Sequence, residues 1–565
     1  MYNFKTFVLI IFAALVTVSC SDLLNEDIRS QVGDERFNSP SGFNEIVNAS
    51  YTNLRHYYGT ERGHGMTEGY GVDIFHEGAD GSHKQWNFYG VQLNASTGWV
   101  TELWDFMYEG INMTNTVINR GQTVDGLNPD VVRVRTAEAH FLRAHYYFIL
   151  VQQYGAVHIT TEETQGVEIE ASRAPVSEVF NQIVSDLEHA IDNLPIEASD
   201  YGRATRPAAE HLLARVLLTR ASEFYRDDAG DPGDYDRAAE LALRVINDYN
   251  FSLLDDVSQV WAIGNEVHEE VIWSLQYSDN PLLNEGGNNS HLYYLTTYDE
   301  MPAMNRTVEY GRPWKRFRPT EFLYDDLLGP ETREHDSRYD AFFRDVFYAS
   351  VPGTYTINGV DGVEVALGDT AIYFPGVNWS LEEIQAKPYT VVIPNCSDED
   401  RARGCAEYNP RDFPTLAKHE DPNRPEMNTT AGSRDFLAFR LAETHLIAAE
   451  ALLLGSGSLD AATEHLNVIR RRAAWPGQEI AMELDPSEVD LVAIIDERAR
   501  ELLGEQFRWY DLKRTGMLID RAYEYNPEVA NVGLLEEKHL LRPIPQTQID
   551  RTAGGSSAFP QNPGY

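Results

Sequence analysis

Two stretches of this chain concentrate side chains suited to holding a ligand without reacting with it. The first, Tyr57 to Trp99, contains Asp73, Phe75, His76, Lys84, Trp86, Phe88 and Tyr89. The second, Asn284 to Trp314, contains Tyr293, Tyr294, Tyr298, Arg306, Tyr310 and Trp314. A sugar ring offers a flat C–H face and a rim of hydroxyls. A site for it needs Trp or Tyr rings to stack on, and Asp, Asn, Lys or Arg to fork onto hydroxyl pairs. Both stretches supply that mixture in loop-like sequence, where recognition residues concentrate. Chemistry and placement select Asp73, Lys84, Trp86, Tyr294, Tyr298 and Trp314 as candidate ligand-binding residues. For any single ring, plugging a loop onto the core is the plainer explanation.

Signatures of catalysis are missing. There is no GxGxxG after a strand, no GxxxxGK[ST], no HExxH and no GxSxG. His140 and His145 share a helical stretch but stand five apart, so they do not form a metal-binding face. The acidic loop Asp227 to Asp236 lacks the regular spacing of a calcium loop and reads as a solvated connection. With 88 acidic residues, a glycosidase pair can always be imagined, and sequence cannot place two of them across one bond. No catalytic residue, metal or cofactor is assigned. A surface glycoside hydrolase is kept as the alternative, as is capture of peptides or another nutrient.

The 565 residues carry 46 basic and 88 acidic side chains, a net charge of −42. That field repels polyanions, so no nucleic-acid partner is expected. Lys84, Arg306, Arg312, Lys315, Arg316 and Arg318 could still form a local basic cleft for an anionic glycan.

Residues 1–19 read as an export signal. Lys5 precedes an apolar run from Phe7 to Val18, 12 residues long and short of the about 20 that span a bilayer. The run ends at Val18-Ser19-Cys20, which resembles a lipobox whose Cys20 is acylated; a plain secretory signal is the other reading. Of three cysteines, Cys396 and Cys405 then remain, in a polar stretch. Outside the cytoplasm they form a disulfide or stay as two free thiols.

The elements that position these residues are mostly helical. Apolar residues recur at helical spacing over residues 41–58, 99–120, 131–154, 176–194, 203–226, 235–249, 435–454 and 459–474. Three segments (PVSEVFNQIVSDLEHAIDNLP, DYDRAAELALRVINDYN and SLDAATEHLNVIRRRA) each follow a longer Ala-rich helix. Their spacing, near 34 residues, points to tetratricopeptide-like pairs. From about Phe251 to Thr430 Gly, Pro, Asn and Asp become frequent, with strand-like pieces at Glu270–Gln276 and Tyr389–Ile393. The fold class is therefore mainly α: a scaffold of helix pairs with a loop-rich lobe carrying short strands. The expected division is 1–19 signal, 20–250 N-terminal helical region, 251–430 variable ligand-binding lobe and 431–565 C-terminal helical region.

Ordered landmarks extend the reading. They are Trp104, Tyr108, Ile111 and Asn115; AEAHFLRAHYYFILVQQYGAVHI (137–159); GRATRPAAEHLLARVLL (202–218); FRLAETHLIAAEALL (439–453); ERARELLGEQFRWYDLKRTG (497–516); LLRPIPQTQID (540–550); and the terminal Gln561 to Tyr565. In this order they resemble the SusD/RagB family of outer-membrane nutrient-uptake lipoproteins of the Bacteroidetes, over nearly the whole mature chain. The acidic stretch Ser21 to Asp27 resembles the surface-export tail of such lipoproteins. The resemblance implies an α-helical body with four tetratricopeptide-like pairs, lipid anchoring at the outer-membrane surface, and non-catalytic glycan binding. It also implies a partner, a SusC-like TonB-dependent transporter. Within residues 497–516, Glu501, Glu505, Arg508 and Asp511 stand at three- and four-residue steps, which suggests ion pairs along one helix.

Overall fold

The computed structural model describes residues 34–565. The signal segment, Cys20 and the acidic stretch after it lie outside the described residues.

The scaffold is a row of helices, each packed on the next. In chain order these are α1 (Pro40–Thr52), α2 (Gly98–Arg120), α3 (Pro129–Tyr154), α4 (Val176–Asn193), α5 (Arg206–Ala221), α6 (Asp234–Asp248), α7 (Leu441–Leu454) and α8 (Leu459–Ala473). Their ends carry local signals. Ser39, Asn128, Thr205 and Ser458 accept hydrogen bonds from first-turn amides. Pro follows three of these caps, where its missing N–H costs nothing. From Ala137 onward α3 is buried almost all round, as are α5 and α7. These are the Ala-rich members, and small side chains let neighbours close in on every side. The partners α4, α6 and α8 bury only one stripe.

The row does not stop at α6. Helix α6 packs against α7, although residues 249–440 lie between them in sequence. The N-terminal and C-terminal helical regions are thus one array, and the loop-rich lobe is looped out from it. A two-stranded antiparallel ribbon closes the neck of this insertion: β2 (Val271–Leu275) pairs with β4 (Phe436–Arg440). This corrects the expected helix from Asp435. The segment FLAFR is apolar on both faces because both are covered, and it is drawn into a strand by β2. Two further strands, β1 (Phe75–Glu77) and β3 (Phe317–Pro319), form a second antiparallel ribbon. In the lobe, strands at Val346–Tyr348, Thr370–Tyr373, Thr390–Ile393 and Ala406–Glu407 make one small sheet. Cys396 and Cys405 are joined beside it as a disulfide.

The expected run of helix through Glu497–Gly516 is broken. Helix α9 (Leu491–Glu501) ends, and α10 (Arg508–Arg514) starts after a turn in which Gln506 has φ +70°. Most of the charged residues therefore reach across the fold, and within this stretch two i,i+3 pairs form, Arg514–Asp511 at 2.9 Å and Arg500–Glu497 at 3.3 Å. Glu501 receives Arg440 at 2.7 Å, Arg338 at 3.4 Å, and Arg472. Glu505 receives Arg440 at 2.7 Å and Lys418 at 2.9 Å. Glu270 binds Arg440 at 3.0 Å and Arg472 at 2.7 Å. All of these side chains are buried. Breaking such a cluster from one side leaves uncompensated charge, at a cost of about 3–5 kcal/mol. Arg440→Met is expected to lower stability by that amount in urea unfolding, against less than about 0.5 kcal/mol for Arg237→Met, whose side chain is largely solvated in a surface pair with Glu188.

Acid should unfold the protein in two overlapping stages. Burial holds His145, His291 and His419 down at about 3. Their contribution is whole above the unfolded value near 6.5 and is lost as pH falls toward 3. Burial alone would raise Glu443 and Glu497, but surrounding cations, chiefly Arg215 at the first and Arg338 at the second, bring both down to about 2. Their contribution is whole above about 4.5 and is lost as pH falls toward 2. Glu68 opposes this: burial pushes it up to about 7, so its contribution is present at low pH and fades from about 4.5 to 7. Asp435, pushed up by burial to about 6, acts in the same direction, and these groups are outnumbered by the buried histidines and cation-held carboxylates. The urea midpoint should fall steadily from pH 7 to pH 4, and an optimum near pH 4.5 would contradict this.

Candidate functional site

The structure brings the two aromatic stretches together, through the β1–β3 ribbon. Phe75 lies opposite Pro319, His76 opposite Arg318 and Glu77 opposite Phe317. Beyond the ribbon the chains stay in contact. The Gly78 amide donates to the Arg316 carbonyl at 2.8 Å, and the Asp80 amide to that of Lys315 at 3.3 Å. Gly78 is required here, since a Cβ would sit 2.1 Å from the Lys315 carbonyl oxygen. The other side of this segment is anchored by Trp314 N–H to the Leu292 carbonyl at 2.9 Å and Arg316 N–H to that of Tyr293 at 2.8 Å. Lys315, between them, adopts a left-handed φ of +48°. That turn sets the Arg316 guanidinium 5.1 Å above the half-buried Trp314 ring.

Around Trp314 lies a face of rings and fixed charges. Arg316 is 3.0 Å from Glu61 and 3.8 Å from Asp80, and Lys315 is 3.9 Å from Asp80. His83 stacks on Trp99 with centroids 3.9 Å apart. Burial, with Arg316 and Arg62 nearby, lowers His83 to about 4, so the ring is neutral at physiological pH. Arg62 bonds Glu102 and sits over Phe106, on which His56 stacks at 3.7 Å. The arrangement presents Trp314 and His83 as flat surfaces, with oriented carboxylates and guanidinium groups between them. The nearby carboxylates Glu61, Asp80 and Glu102 each face a cation.

Four of the six sequence candidates are interior groups. Trp86 is fully buried, with Arg542 4.8 Å above its ring. Asp73 is buried between Arg508, at 2.6 and 2.7 Å, and Arg521, at 2.8 Å. Tyr294 is buried against Phe75 and Phe317 and hydrogen-bonds His64 at 3.0 Å. Tyr298 belongs to the core of the lobe: it stacks on Phe347 and donates to the Gly311 carbonyl at 2.6 Å. None of the four presents a surface to a ligand. Lys84 remains accessible and bonds Glu77 at 3.0 Å, and Trp314 lies on the face just described. The anticipated basic cleft does not form as such. Lys84, Arg306, Lys315, Arg316 and Arg318 each meet a carboxylate, and Arg312 alone of the six is exposed without an ion pair.

Sequence reasoning passed over His83, Glu61, Asp80 and Arg62. Their one advance signal was position, within the first stretch between Tyr57 and Trp99. In the acidic loop, Asp234 binds Arg220 at 2.5 Å and Asp236 accepts from the Ser456 amide at 2.7 Å, which commits both within the protein. Among the described residues no helix is long and apolar enough to cross a membrane.

The family described as SusD matches residues 269–565, and one described as starch-binding, associating with outer membrane, matches residues 25–218. A SusD-like protein, P2, of Formosa agariphila is 25% identical, with 98% of each chain covered. The starch-binding protein SusD of Bacteroides thetaiotaomicron is 24% identical over 82% of this chain and 78% of its own. Among solved structures, a laminarin-binding SusD-like protein superposes with a TM-score of 0.67 at 23% identity, over 93% of this chain and 100% of that one. Surface glycan-binding protein A of Bacteroides thetaiotaomicron, in complex with laminarihexaose, gives 0.66 at 20% identity, over 93% and 99%.

The interior candidates and the half-buried Trp314 should separate in stability measurements. Trp86→Ala and Asp73→Ala are expected to cost about 3–5 kcal/mol each, the first by opening a cavity and the second by stranding two arginines. Trp314→Ala should cost only about 1–2 kcal/mol, as a half-buried ring. Thermal and urea unfolding of the three variants checks the order.

Proposed function

This chain belongs to the SusD family, and on that premise we propose that it binds a polysaccharide or oligosaccharide at the cell surface. It then delivers that ligand, without catalysis, to a partner SusC-like TonB-dependent outer-membrane transporter. It is held at the outer membrane by lipid on Cys20. The observation that carries the reading is the Trp314 face: flat rings at Trp314 and His83, with Arg316, Glu61 and Asp80 held between them. Relatives whose names include starch or laminarin support a glycan as the ligand class. The non-catalytic role is supported by the carboxylates nearest Trp314, which are tied to cations rather than set opposite one another across a free bond.

The mechanism is equilibrium capture. A sugar face stacks on Trp314, and its hydroxyls exchange water for the fixed carboxylates and guanidinium groups. Wet sites of this kind hold ligands at about micromolar to millimolar, roughly −8 to −4 kcal/mol.

Affinity electrophoresis of the protein beginning after Cys20, through gels cast with laminarin, starch and other neutral and anionic polysaccharides, tests the reading. Retardation by at least one neutral polymer is expected, reduced about tenfold or more in Trp314→Ala, with the fold intact by circular dichroism. Because His83 stays neutral until about pH 4, retardation should be flat from pH 5.5 to 8. A reducing-sugar assay on the retained polymer should show no turnover. Turnover abolished by one carboxylate substitution would favour a hydrolase instead.

A further inference from the structure

The β1–β3 ribbon has a second side. Phe75 and Phe317 face inward, toward Tyr294. Their neighbours His76 and Arg318 are cross-strand partners, so they share the opposite face. That face lines a cavity of about 400 Å³, within the roughly 300–1,000 Å³ range of small-ligand pockets. Its polar floor is fixed. Arg318 donates to the Glu77 carbonyl at 3.1 Å and to Glu528 at 3.1 Å, and His76 Nδ1 lies 3.4 Å from the same carboxylate.

The walls are aromatic. Phe322 and Tyr525 stack with centroids 3.9 Å apart, and Tyr324 meets Tyr408 edge-on at 5.3 Å. Tyr525 is half-buried, while Phe322 beneath it is buried. The far wall carries Asn395 and Tyr408, just outside the Cys396–Cys405 disulfide on either side. A covalent link thus holds the two ends of that wall together. Glu321, Asp326 and Glu524 stand exposed at the rim. The floor cation is already neutralised by Glu528, so the cavity repels anions and offers a flat ring beside fixed donors and acceptors.

We propose that this cavity is a second saccharide site that takes one uncharged sugar unit, its C–H face on Tyr525 and its hydroxyls toward His76, Arg318 and Asn395. The ligand class rests on the glycan-capture reading above, whereas the residues are separate from the Trp314 face. Trp314 and Phe322 stand eight positions apart, so their Cα atoms lie at most about 29 Å from each other. One polymer chain can occupy both, which raises its avidity above that of either site alone.

Saturation-transfer NMR with free glucose, galactose, mannose, xylose and glucuronate tests this, in the Trp314→Ala background to silence the first site. At least one neutral sugar should still give signal. That signal should fall at least threefold when Tyr525→Leu is added, which keeps apolar cover on Phe322 but removes the ring face. It should survive Tyr525→Phe, and glucuronate should give none. Neutral-sugar signal absent from Trp314→Ala, or unchanged by Tyr525→Leu in a folded protein, overturns the second site. Signal from glucuronate alone overturns its charge assignment. Loss of polymer retardation in Trp314→Ala with no sugar at Tyr525 would leave the first site standing. Signal at Tyr525 with unchanged retardation in Trp314→Ala would do the reverse.

Discussion

The carboxylate of Glu501 is the point through which the separate parts of this protein are held in register. Arg440 comes to it from the neck of the lobe, Arg338 from within the lobe and Arg472 from the last helix of the array. Glu505 adds Lys418 from the lobe's returning segment. A hydrophobic contact would tolerate sliding by a residue; a buried carboxylate facing three guanidinium groups does not, because a shift would leave charge unpaired in a dry interior. The broken helix between α9 and α10 is the local condition for this. An unbroken helix would line up Glu501 and Glu505 along its own surface, away from partners in three different elements.

A second clamp of the same kind sets the Trp314 face. Asp73 precedes β1, and Arg508 and Arg521 reach it from 435 and 448 positions away. The C-terminal segment thus supports the first aromatic stretch from below, while β3 fastens it to the second. Trp314 and His83 are presented by loops, yet these loops rest on buried ion pairs and a ribbon rather than on solvent.

Much of the scaffold was legible because its information is local. Caps such as Ser39 and Asn128, prolines at first turns and apolar residues at helical spacing all lie within a few residues of what they specify. Segment 435–440 was not legible, since FLAFR suits a buried helix as well as a buried strand and its partner β2 is remote in the chain. The same limit governed the site. Trp86 and Trp314 are the same residue in similar polar surroundings; one lies beneath Arg542 and the other at the surface, and only the fold distinguishes them. Asp73 looked available because the two arginines that claim it lie more than four hundred residues onward. The sequence left Cys396 and Cys405 open between a disulfide and two free thiols, because a separation of nine positions permits the bond without requiring it. The ion pairs expected along residues 497–516 formed only in part for the opposite reason, as the turn at Gln506 sends Glu501, Glu505 and Arg508 to partners elsewhere while Asp511 keeps Arg514.

The paired strands at the neck of the lobe have an evolutionary consequence. Because β2 and β4 lie side by side and α6 meets α7 directly, the helical array does not register how much chain is looped out between them. Lengthening such a loop costs little, with each doubling adding about 0.6 kcal/mol of closure entropy. Natural variation can therefore rewrite the lobe while the helical body stays the same. One boundary to this freedom is electrostatic. Arg338 and Lys418 belong to the lobe but balance carboxylates of the body, so any replacement lobe must return two cations to the same places or be matched by changes at Glu497, Glu501 and Glu505.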